Sequence, residues 1–440
     1  MNFKKFFELA KQEGISESQI QVGKSSALSI KLFHHEIENY RVNSSQSVVA
    51  CGIYSGKLGS ARTEKLNKDT FAYLIKEIKK SASFVEEEGI TELFKGSEKY
   101  HKKNIFNPAL AEVAADKKLA ILHELEDKAY AADPRIKEVP EVLYREVTSE
   151  SSFYNSHGLK LSQKSNYFYF VLGVAAKEGE VTKTGYQIFL DSDLAKFKAD
   201  EFVEKTVKTA LEKFGGTQCK AGKYPTVLHS DIMADLLDYF LGACSSDEVQ
   251  RNSSFLVGKL GEKIASSKLT IEEKPLTKNV FFSYFDDEGV ATKNKYVVKN
   301  GVLKTYFYNL ETAKKDGVES TGNAAWAGGK IGIGCNNIVV KPGKQSFEEL
   351  IAPIKEGVYI TEIAGLGTGM NEVSGDFSCQ ADGFMIRDGK IAEPLNLITL
   401  SGNLLKMLKD LKGFSNRVEL KTSSTSVADA YIKSMSIGGK

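Results

Sequence analysis

The sequence predicts an α+β protein, in which an N-terminal helix-and-antiparallel-sheet half is followed by a β-rich C-terminal domain. In the first half, apolar residues at helical spacing alternate with stretches whose apolar residues recur every second position. In the second half, short apolar runs are separated by glycines and other turn residues, as is typical of strands. The chain has 440 residues, 42% of them hydrophobic, which exceeds what one compact core usually holds. We therefore expect more than one domain.

The N-terminal elements follow from these two periods. Apolar residues at positions 3, 6, 7 and 10 predict an amphipathic helix that ends near Gly14. Alternating apolar residues at 28–32 and 48–54 predict strands that pair antiparallel. Helical spacing at positions 71, 74, 75 and 78 predicts a second helix, and residues 114–131 predict a long one, closed by Asp133-Pro134.

The segment 136–190 is rich in strand signals. Residues 167–172 are aromatic or aliphatic on both faces, which predicts a core strand covered on both sides. After a helix over 200–214, Gly215-Gly216 marks the most plausible domain boundary. The predicted divisions are an N-terminal α+β domain (1–100), a helix-strand segment completing that half (101–218) and a β-rich domain (219–440).

Charge and cysteine usage exclude several classes of protein. Lys and Arg total 59 against 57 Asp and Glu, so the chain lacks the basic stripe of a nucleic-acid-binding protein. The five cysteines fit neither a disulfide framework nor a C-x-x-C motif. The N-terminus has no continuous apolar segment and no long apolar run follows. We therefore expect a cytoplasmic protein that binds neither DNA nor membranes.

Two histidine–glutamate pairs resemble the beginning of a zinc-peptidase motif. They are His35-Glu36 and His123-Glu124, and in both the histidine expected four positions further on is missing. The sequence favours surface pairs for both. The acidic run at 286–288, followed by Gly289, similarly favours a turn at a strand end over an ion site, because adjacent side chains cannot all face one ion.

A series of short motifs in the second half resembles a known family. In chain order they are Ser253-Ser254-Phe255-Leu256, Gly258-Lys259-Leu260-Gly261-Glu262, Phe285-Asp286-Asp287-Glu288-Gly289, Gly301-Val302-Leu303, Ser320-Thr321-Gly322-Asn323-Ala324, Lys341-Pro342-Gly343, Glu348-Glu349-Leu350-Ile351, Ser374-Gly375-Asp376-Phe377-Ser378 and Ile437-Gly438-Gly439. Their order resembles the C-terminal domain of TldD/PmbA proteins, historically called modulators of DNA gyrase. The gyrase connection in that name implies no DNA-binding surface.

The resemblance implies an intracellular metallopeptidase built as a heterodimer. TldD-type subunits of the family carry an H-E-x-x-x-H zinc motif, and PmbA-type (TldE-type) subunits lack it. Here the corresponding stretch has His229, then Ser230 in place of the glutamate, with Met233 and Ala234 where a second histidine would stand. No cysteine follows Cys379, so the family's cysteine ligand is also missing. We expect no metal in this chain and no catalytic residues, and zinc in a partner subunit.

The function implied is that of a non-metal subunit that needs a TldD-like catalytic partner to cleave peptides or unfolded polypeptide. Such a subunit would contribute an interface and part of a cavity that admits extended peptide, which could add as a strand to a sheet edge. Glycine lets another backbone approach closely. The candidate peptide-binding or interface residues are Gly328, Gly329, Gly332, Gly334, Ser374, Gly375, Asp376 and Phe377.

The helix after His229 also has an acidic face. Apolar residues at 232, 233, 236, 237 and 240 form one side, and Asp231, Asp235 and Asp238 form the other. A solvated surface is the commoner meaning of such a face. On that interpretation, reversing the charges of Asp231 and Asp235 would leave stability and partner association nearly unchanged.

Two other classes remain open from the sequence. The chain could be a homodimeric peptide-binding or scaffold protein without catalytic activity. It could also be a hydrolase with a non-metal site, although the sequence contains no G-x-S-x-G motif and no close Cys-His pair.

Overall fold

The computed structural model of the chain describes residues 2–67, 69–86, 90–327 and 330–440. Its N-terminal half combines long strands with helices. The elements in chain order are α1 (Phe3–Gln12), β1 (Ile15–Phe33), β2 (Glu36–Tyr54), β3 (Lys57–Thr63), α2 (Thr70–Ser83), α3 (Pro108–Ala111), α4 (Ala115–Ala132), β4 (Ile136–Asn155), β5 (Lys160–Glu178), β6 (Val181–Asp191) and α5 (Ala199–Leu211).

These strands form one antiparallel sheet in the order β3-β2-β1-β4-β5-β6. Because successive side chains alternate between the faces, Ile30 of β1, Tyr144 of β4 and Phe170 of β5 stand in register on one face. Helices α4 and α5 cover that end of the face, and α1 and α2 cover the same face near β1–β3. All four helices therefore lie on one side of the sheet.

This one-sided arrangement corrects the prediction for β5. Phe168 and Phe170 are fully buried under the helices, but Tyr167 and Tyr169 on the opposite face are only half-buried. No helix of the described chain packs over these two tyrosines, so this part of β5 is not covered on both sides. Both faces are buried only at residues 171–174.

The C-terminal half has shorter elements. In chain order they are β7 (Gly222–Leu228), α6 (Ser230–Ala243), α7 (Ser246–Gln250), β8 (Ile271–Glu273), β9 (Lys295–Lys299), β10 (Val302–Leu303), α8 (Leu310–Asp316), β11 (Ala324–Ala327), β12 (Lys330–Ile333), β13 (Ile338–Val340), α9 (Phe347–Ile351), β14 (Glu356–Ala364), α10 (Leu366–Gly369), β15 (Asp376–Arg387), β16 (Lys390–Asn403), α11 (Leu404–Lys409), β17 (Leu411–Phe414), β18 (Thr425–Ser426) and β19 (Ala430–Gly438).

Strands of this half close into a ring. The order is β16-β15-β14-β7-β19-β17, and β16 also pairs with β19, so β7, β14, β15, β16 and β19 form a small barrel. A second sheet, β10-β9-β8-β13-β18, packs beside it, while β11 and β12 form a separate two-stranded hairpin. The largest hydrophobic core lies between the barrel, α6 and the second sheet. Helix α6 is therefore fixed against the centre of the domain.

The fold class is confirmed: a helix-and-sheet half precedes a β-rich domain, and the predicted helices appear as α1, α2 and α4. The single N-terminal sheet takes strands from both of the segments predicted at 1–100 and 101–218. Within the described ranges, every helix is too short or too polar to cross a membrane.

Candidate functional site

Helix α6 begins directly after the barrel strand β7 and has one buried and one open side. His229 is its N-cap, and in the neutral form its Nδ1 accepts a hydrogen bond from the backbone N–H of Asp231 at 3.3 Å. The residues buried on its apolar side include Ile232, Met233, Leu236, Leu237 and Phe240. Helical periodicity then places Asp231, Asp235 and Asp238 on the accessible side, as the sequence predicts.

This acidic side forms the wall of a groove, which we call the α6 groove. It consists of a cavity of about 840 Å³ and an adjoining one of about 260 Å³, and Asp235 and Ser423 line both. Residues 419–425 supply part of the lining along this groove. The smaller cavity is also lined by Tyr186 and Ile188 of β6, so the groove reaches the N-terminal sheet. The three aspartates are exposed, as the sequence predicts, and they line this concave groove.

One end of the groove carries a charged pair. Lys421 Nζ lies 2.6 Å from Asp231 Oδ1, and Asp231 Oδ2 lies 3.2 Å from His229 Nδ1. Burial opposes ionisation of Asp231, but the contacts with His229 and Lys421 outweigh it and hold the pKa of this carboxyl below its usual range. Asp231 is therefore ionised and fixed.

The other two aspartates are less favourably placed for ionisation. Burial in the groove, reinforced by the charges of Asp238 and Asp231, raises the pKa of Asp235 to about 6. Burial also raises the pKa of Asp238, although its carboxylate accepts a hydrogen bond from the hydroxyl of Thr425 at 2.8 Å. The groove therefore gains negative charge as the pH rises towards neutrality.

Carboxylates occur along the lining of the larger cavity, and two of them, Asp247 and Glu248, form ion pairs with Arg251. The carboxylate-bearing lining residues of this cavity are Asp235, Asp238, Asp247, Glu248 and Glu372. Neither lysine nor arginine occurs among the described residues that line this cavity. A surface of this kind attracts cationic groups and repels acidic ones.

Strand β12 approaches the cavity, and no other strand of the described chain pairs with its outer edge. Its pairing with β11 aligns Ala324 with Ile333 and Trp326 with Ile331. The N–H groups of Ala324 and Trp326 point away from β12, because they donate to the carboxylates of Asp286 and Asp287. By the alternation of an antiparallel ladder, the backbone groups of Ile331 and Ile333 point outward on the opposite edge of the hairpin. Ile333, Gly334 and Cys335 then continue into the cavity lining.

A buried polar cluster holds this hairpin. Asn323 Nδ2 donates to the carbonyl of Gly334 and to Glu273 Oε1, both at 2.8 Å. Thr321 Oγ1 donates to Asn323 Oδ1 at 2.7 Å, and Lys295 forms an ion pair with Glu273. Because these buried polar groups bond to one another, the cluster fixes a single geometry for the hairpin. The sequence motif at 320–324 thus positions the wall of the cavity.

The residues predicted to bind peptide fall in different places. Gly334 lines the larger cavity, and Gly332 lies on β12 beside it. Gly328 and Gly329 lie outside the described residues.

The segment from Ser374 to Phe377 is not among the described lining of the larger cavity. Ser374 donates to Asp376 at 2.7 Å, Gly375 packs against Phe255, and Phe377 is buried in the core. Of the chosen glycines, Gly334 therefore lines the groove, whereas in the 374–377 loop Gly375 and Phe377 are buried and Ser374 and Asp376 are exposed outside that lining.

A zinc site at the head of α6 is not supported by the residues present. Nδ1 of His229 faces Asp231, accepting from its amide N–H when neutral or donating to its carboxylate when protonated. Ser230 is buried and its backbone N–H donates to Asp429 at 2.8 Å, while Met233 and Ala234 pack into the core. Zinc needs imidazole, thiolate or carboxylate ligands converging on one point. These positions do not fit such an ion.

Sequence reasoning missed the segment 419–425, including Lys421, because it joins α6 through the fold and has no motif of its own. It also missed the convergence of the two histidine–glutamate segments. Ligand atoms of His35, His123 and Glu126 lie within 4.8 Å of one another. The sequence contains two incomplete motifs, and only the structure shows that their residues lie close together.

Comparison with protein families defines the class of this chain. The sequence model of the PmbA/TldA metallopeptidase C-terminal domain matches residues 221–439, and that of the central domain of the same family matches residues 108–214. The first match contains α6 and the whole lining of the larger cavity. The chain belongs to the PmbA/TldD family.

Individual relatives agree with this assignment. A PmbA metalloprotease homologue from Buchnera aphidicola is 31% identical over 337 residues, covering 73% of this chain and 70% of the relative. A PmbA metalloprotease homologue from Haemophilus influenzae is 26% identical over 98% of this chain and 94% of its own length.

Solved structures show the same fold. A candidate modulator of DNA gyrase from Thermotoga maritima superposes with a TM-score of 0.91 at 28% identity, covering 99% of this chain and 100% of the other. The TldE structure from Thermococcus kodakarensis gives a TM-score of 0.90 at 24% identity over 99% and 100% of the two chains.

Proposed function

We propose that this chain is the non-metal subunit of a two-subunit metallopeptidase of the TldD/TldE type, which cleaves peptides or unfolded polypeptide. The observation that carries the proposal is the head of α6, where Ser230, Met233 and Ala234 leave His229 without fellow ligands although the groove beside it is intact. A TldD-like partner would hold the zinc, which activates water and polarises the peptide carbonyl when bound.

The role of this chain would be to bind and orient an extended segment. The outward backbone groups of Ile331 and Ile333 offer hydrogen bonds to a strand added at the β12 edge. The carboxylates beside it favour substrate segments that carry lysine or arginine. An extended segment has more free backbone groups to offer this edge than a folded domain has, which supports selection for unfolded polypeptide.

Location belongs to the same proposal. All five cysteines are unpaired, in keeping with a reducing compartment. We place the activity in the cytoplasm.

The direct test mixes this chain with a TldD-like subunit from the same cell. We expect neither this chain alone nor chelator-treated mixtures to cleave an unstructured lysine-rich peptide, and we expect the untreated mixture to cleave it. His229→Ala in this chain should leave the zinc requirement of the mixture unchanged, because no ion is held there. Zinc-dependent turnover by this chain alone, abolished by His229→Ala, would refute the proposal, as would a mixture no more active than the partner alone.

A second candidate function is a homodimeric peptide-binding or scaffold protein without turnover. The acidic cavity and the β12 edge are both complete within one chain, which favours this alternative. It predicts peptide binding by the isolated chain with no cleavage in the mixture. Size-exclusion chromatography with light scattering, run with and without the partner, separates the homodimer from the heterodimer.

A further inference from the structure

A cluster of potential metal ligands lies in the N-terminal half, far along the chain from α6. His35 is in the turn between β1 and β2, and His123 and Glu126 are on α4. One nitrogen or oxygen from each lies within 4.8 Å of the others. Glu126 is fully buried, whereas the side chain of His35 is 50% exposed. The cluster thus joins a hairpin tip to a helix and is open to solvent on one side.

Glu126 is the unusual member of this cluster. Its Oε2 accepts a hydrogen bond from the backbone N–H of His35 at 3.1 Å. Its Oε1 is buried and has no hydrogen-bond partner among the described residues. A buried carboxylate oxygen without a partner is costly and rare in folded proteins. The hydrogen bond from the hairpin therefore satisfies Oε2 of Glu126, whereas Oε1 has no partner among the described residues.

The turn holds the backbone of His35 in a conformation that is unfavourable for histidine. His34 and His35 both have positive φ, at 50° and 60°, the geometry of a two-residue hairpin that usually takes asparagine or glycine. His35 Nδ1 lies 3.6 Å from Glu126 Oε2 and 3.3 Å from Asp127 Oδ1. His34 instead turns towards Glu138, with its Nε2 3.3 Å from Oε2. The two adjacent histidines therefore face different groups.

We propose that His35, His123 and Glu126 bind a zinc ion, with Asp127 as a further carboxylate at the rim. Two imidazoles and a carboxylate are a ligand set that suits zinc. Tetrahedral zinc with bonds of about 2.0–2.2 Å holds its ligand atoms roughly 3.4 Å apart. The half-exposed imidazole of His35 has room to close the remaining distance. The ion would clamp the β1–β2 hairpin tip onto α4.

This site is independent of the proposed peptidase role. The two histidines belong to separate segments, each of which looked like an incomplete zinc-peptidase motif in the sequence. Zinc at this site would contradict the expectation, drawn from the sequence, that this chain holds no metal. Zinc bound here would not replace the zinc of a catalytic partner.

The test titrates zinc sulfate into the tag-free, metal-stripped full chain by isothermal titration calorimetry. We expect about one zinc per chain. His123→Ala and His35→Asn should each weaken binding by at least about tenfold. Asparagine is chosen for position 35 because it tolerates positive φ. The matched control is His34→Asn, which changes the neighbouring turn position with the same backbone geometry and should bind zinc as the parent does.

A second measurement distinguishes a loss of zinc binding from misfolding of a variant. Zinc should raise the melting temperature of the parent and of His34→Asn, and should leave that of His35→Asn and His123→Ala unchanged, with all four showing the same circular dichroism spectrum. The inference is overturned if the parent binds no zinc, or if binding survives in both cluster variants. Zinc lost on His229→Ala but kept in the cluster variants would overturn this inference and contradict the proposed function as well.

Discussion

Two buried carboxyl groups in the turn at 286–289 support the hairpin beside the groove. Asp286 accepts three backbone N–H groups, from Glu288 at 3.0 Å, Val290 at 2.9 Å and Ala324 at 3.0 Å. Glu288 Oε2 accepts the N–H of Leu310 at 2.8 Å, at the start of α8. The acidic run forms the predicted turn, but its carboxylates act inside the protein.

Burial changes how these two groups titrate. It raises the pKa of Asp286 to about 7, against the lowering effect of its three N–H donors. Burial, with the nearby Asp286 as a smaller cause, raises the pKa of Glu288 to about 8. The folded chain therefore holds protons near neutral pH that the unfolded chain has already released.

We predict that Glu288→Gln reduces the loss of stability at rising pH. The pKa of Glu288 is about 8 when folded against 4.5 for an unperturbed glutamate, so the unfolded state binds fewer protons between these values. Stability then falls as the pH rises through that window. Glutamine keeps an acceptor for Leu310 and has no proton to lose. Urea unfolding at about pH 5, 6.5 and 8 measures the slope.

The control for this prediction is Glu8→Gln, which alters an exposed carboxylate on α1, outside the turn at 286–289. It should follow the pH slope of the parent. A Glu288→Gln slope equal to that of the parent would contradict the prediction.

At the scale of elements, α6 shows what the sequence could and could not predict. Its apolar period predicted the helix and the side it buries, because both depend on neighbouring residues. The groove opposite depends on residues 419–425, which lie almost two hundred positions further along the chain. The ion pair between Asp231 and Lys421 has no local pattern that could reveal it.

The same distinction explains the choice of peptide-binding residues. The glycine pattern pointed to β12, because glycine in a strand is a local signal. It pointed equally to the 374–377 loop, where Gly375 has a φ of +76° and packs against Phe255. Glycine is part of a strand in β12 but supplies a positive φ in the 374–377 loop, and only the fold distinguishes these two roles. In the same way, His35 and His123 each belong to an incomplete zinc-peptidase motif, and only the fold brings the two segments together.

The groove contacts also revise the expected effect of charge reversal on α6. Asp231→Lys would place a lysine beside Lys421, whose Nζ lies 2.6 Å from Asp231. We therefore no longer expect that change to be neutral. Asp235 is the better probe, since its carboxylate makes no hydrogen bond to another described residue.

We predict that a lysine-rich extended peptide binds the α6 groove more tightly as the pH rises through about 6, where Asp235 loses its proton. Asp235→Asn should weaken binding at neutral pH by roughly 2- to 5-fold, as expected for a partly exposed charge contact, and should flatten the pH dependence. Fluorescence anisotropy of a labelled peptide measures both effects. Glu8→Gln, an exposed change on α1, serves as the control. Equal pH profiles for the parent and Asp235→Asn would count against peptide binding in this groove.

At the scale of the whole molecule, the two halves meet on the face of the N-terminal sheet opposite its helices. Phe153 and Leu161 of that sheet pack against Phe282, Tyr284 and Phe285 of the C-terminal half. The hydroxyl of Tyr284 donates to the carbonyl of Ser162 at 2.8 Å and accepts from its N–H at 3.0 Å. Two hydrogen bonds from one side chain to the backbone of the other half limit the rotation of the two halves as well as their separation. The junction therefore fixes the orientation of the two halves relative to each other.

Gly289 is the tightest point of this junction. It has a φ of +82°, and a Cβ at this position would lie 2.8 Å from the ring of Phe153. Phe153 is fully buried, so its ring cannot move aside cheaply. Gly317, at the end of α8, has a similar φ of +66° but nothing within 4 Å of the corresponding Cβ position. The two glycines share a backbone requirement and differ in their surroundings.

We predict that Gly289→Ala destabilises the protein more than Gly317→Ala does. Both changes incur the cost of alanine at positive φ, roughly 1–2 kcal/mol. Gly289→Ala alone adds overpacking against Phe153, about 1–3 kcal/mol further. Urea unfolding measures the difference between the two variants, which cancels the shared backbone cost. Because Asp286 and Asp287 of the same turn hold the β11–β12 hairpin beside the groove, Gly289→Ala should also weaken binding of the lysine-rich peptide while Gly317→Ala leaves it unchanged. Equal destabilisation by the two variants would mean that the contact between Gly289 and Phe153 does not constrain the junction.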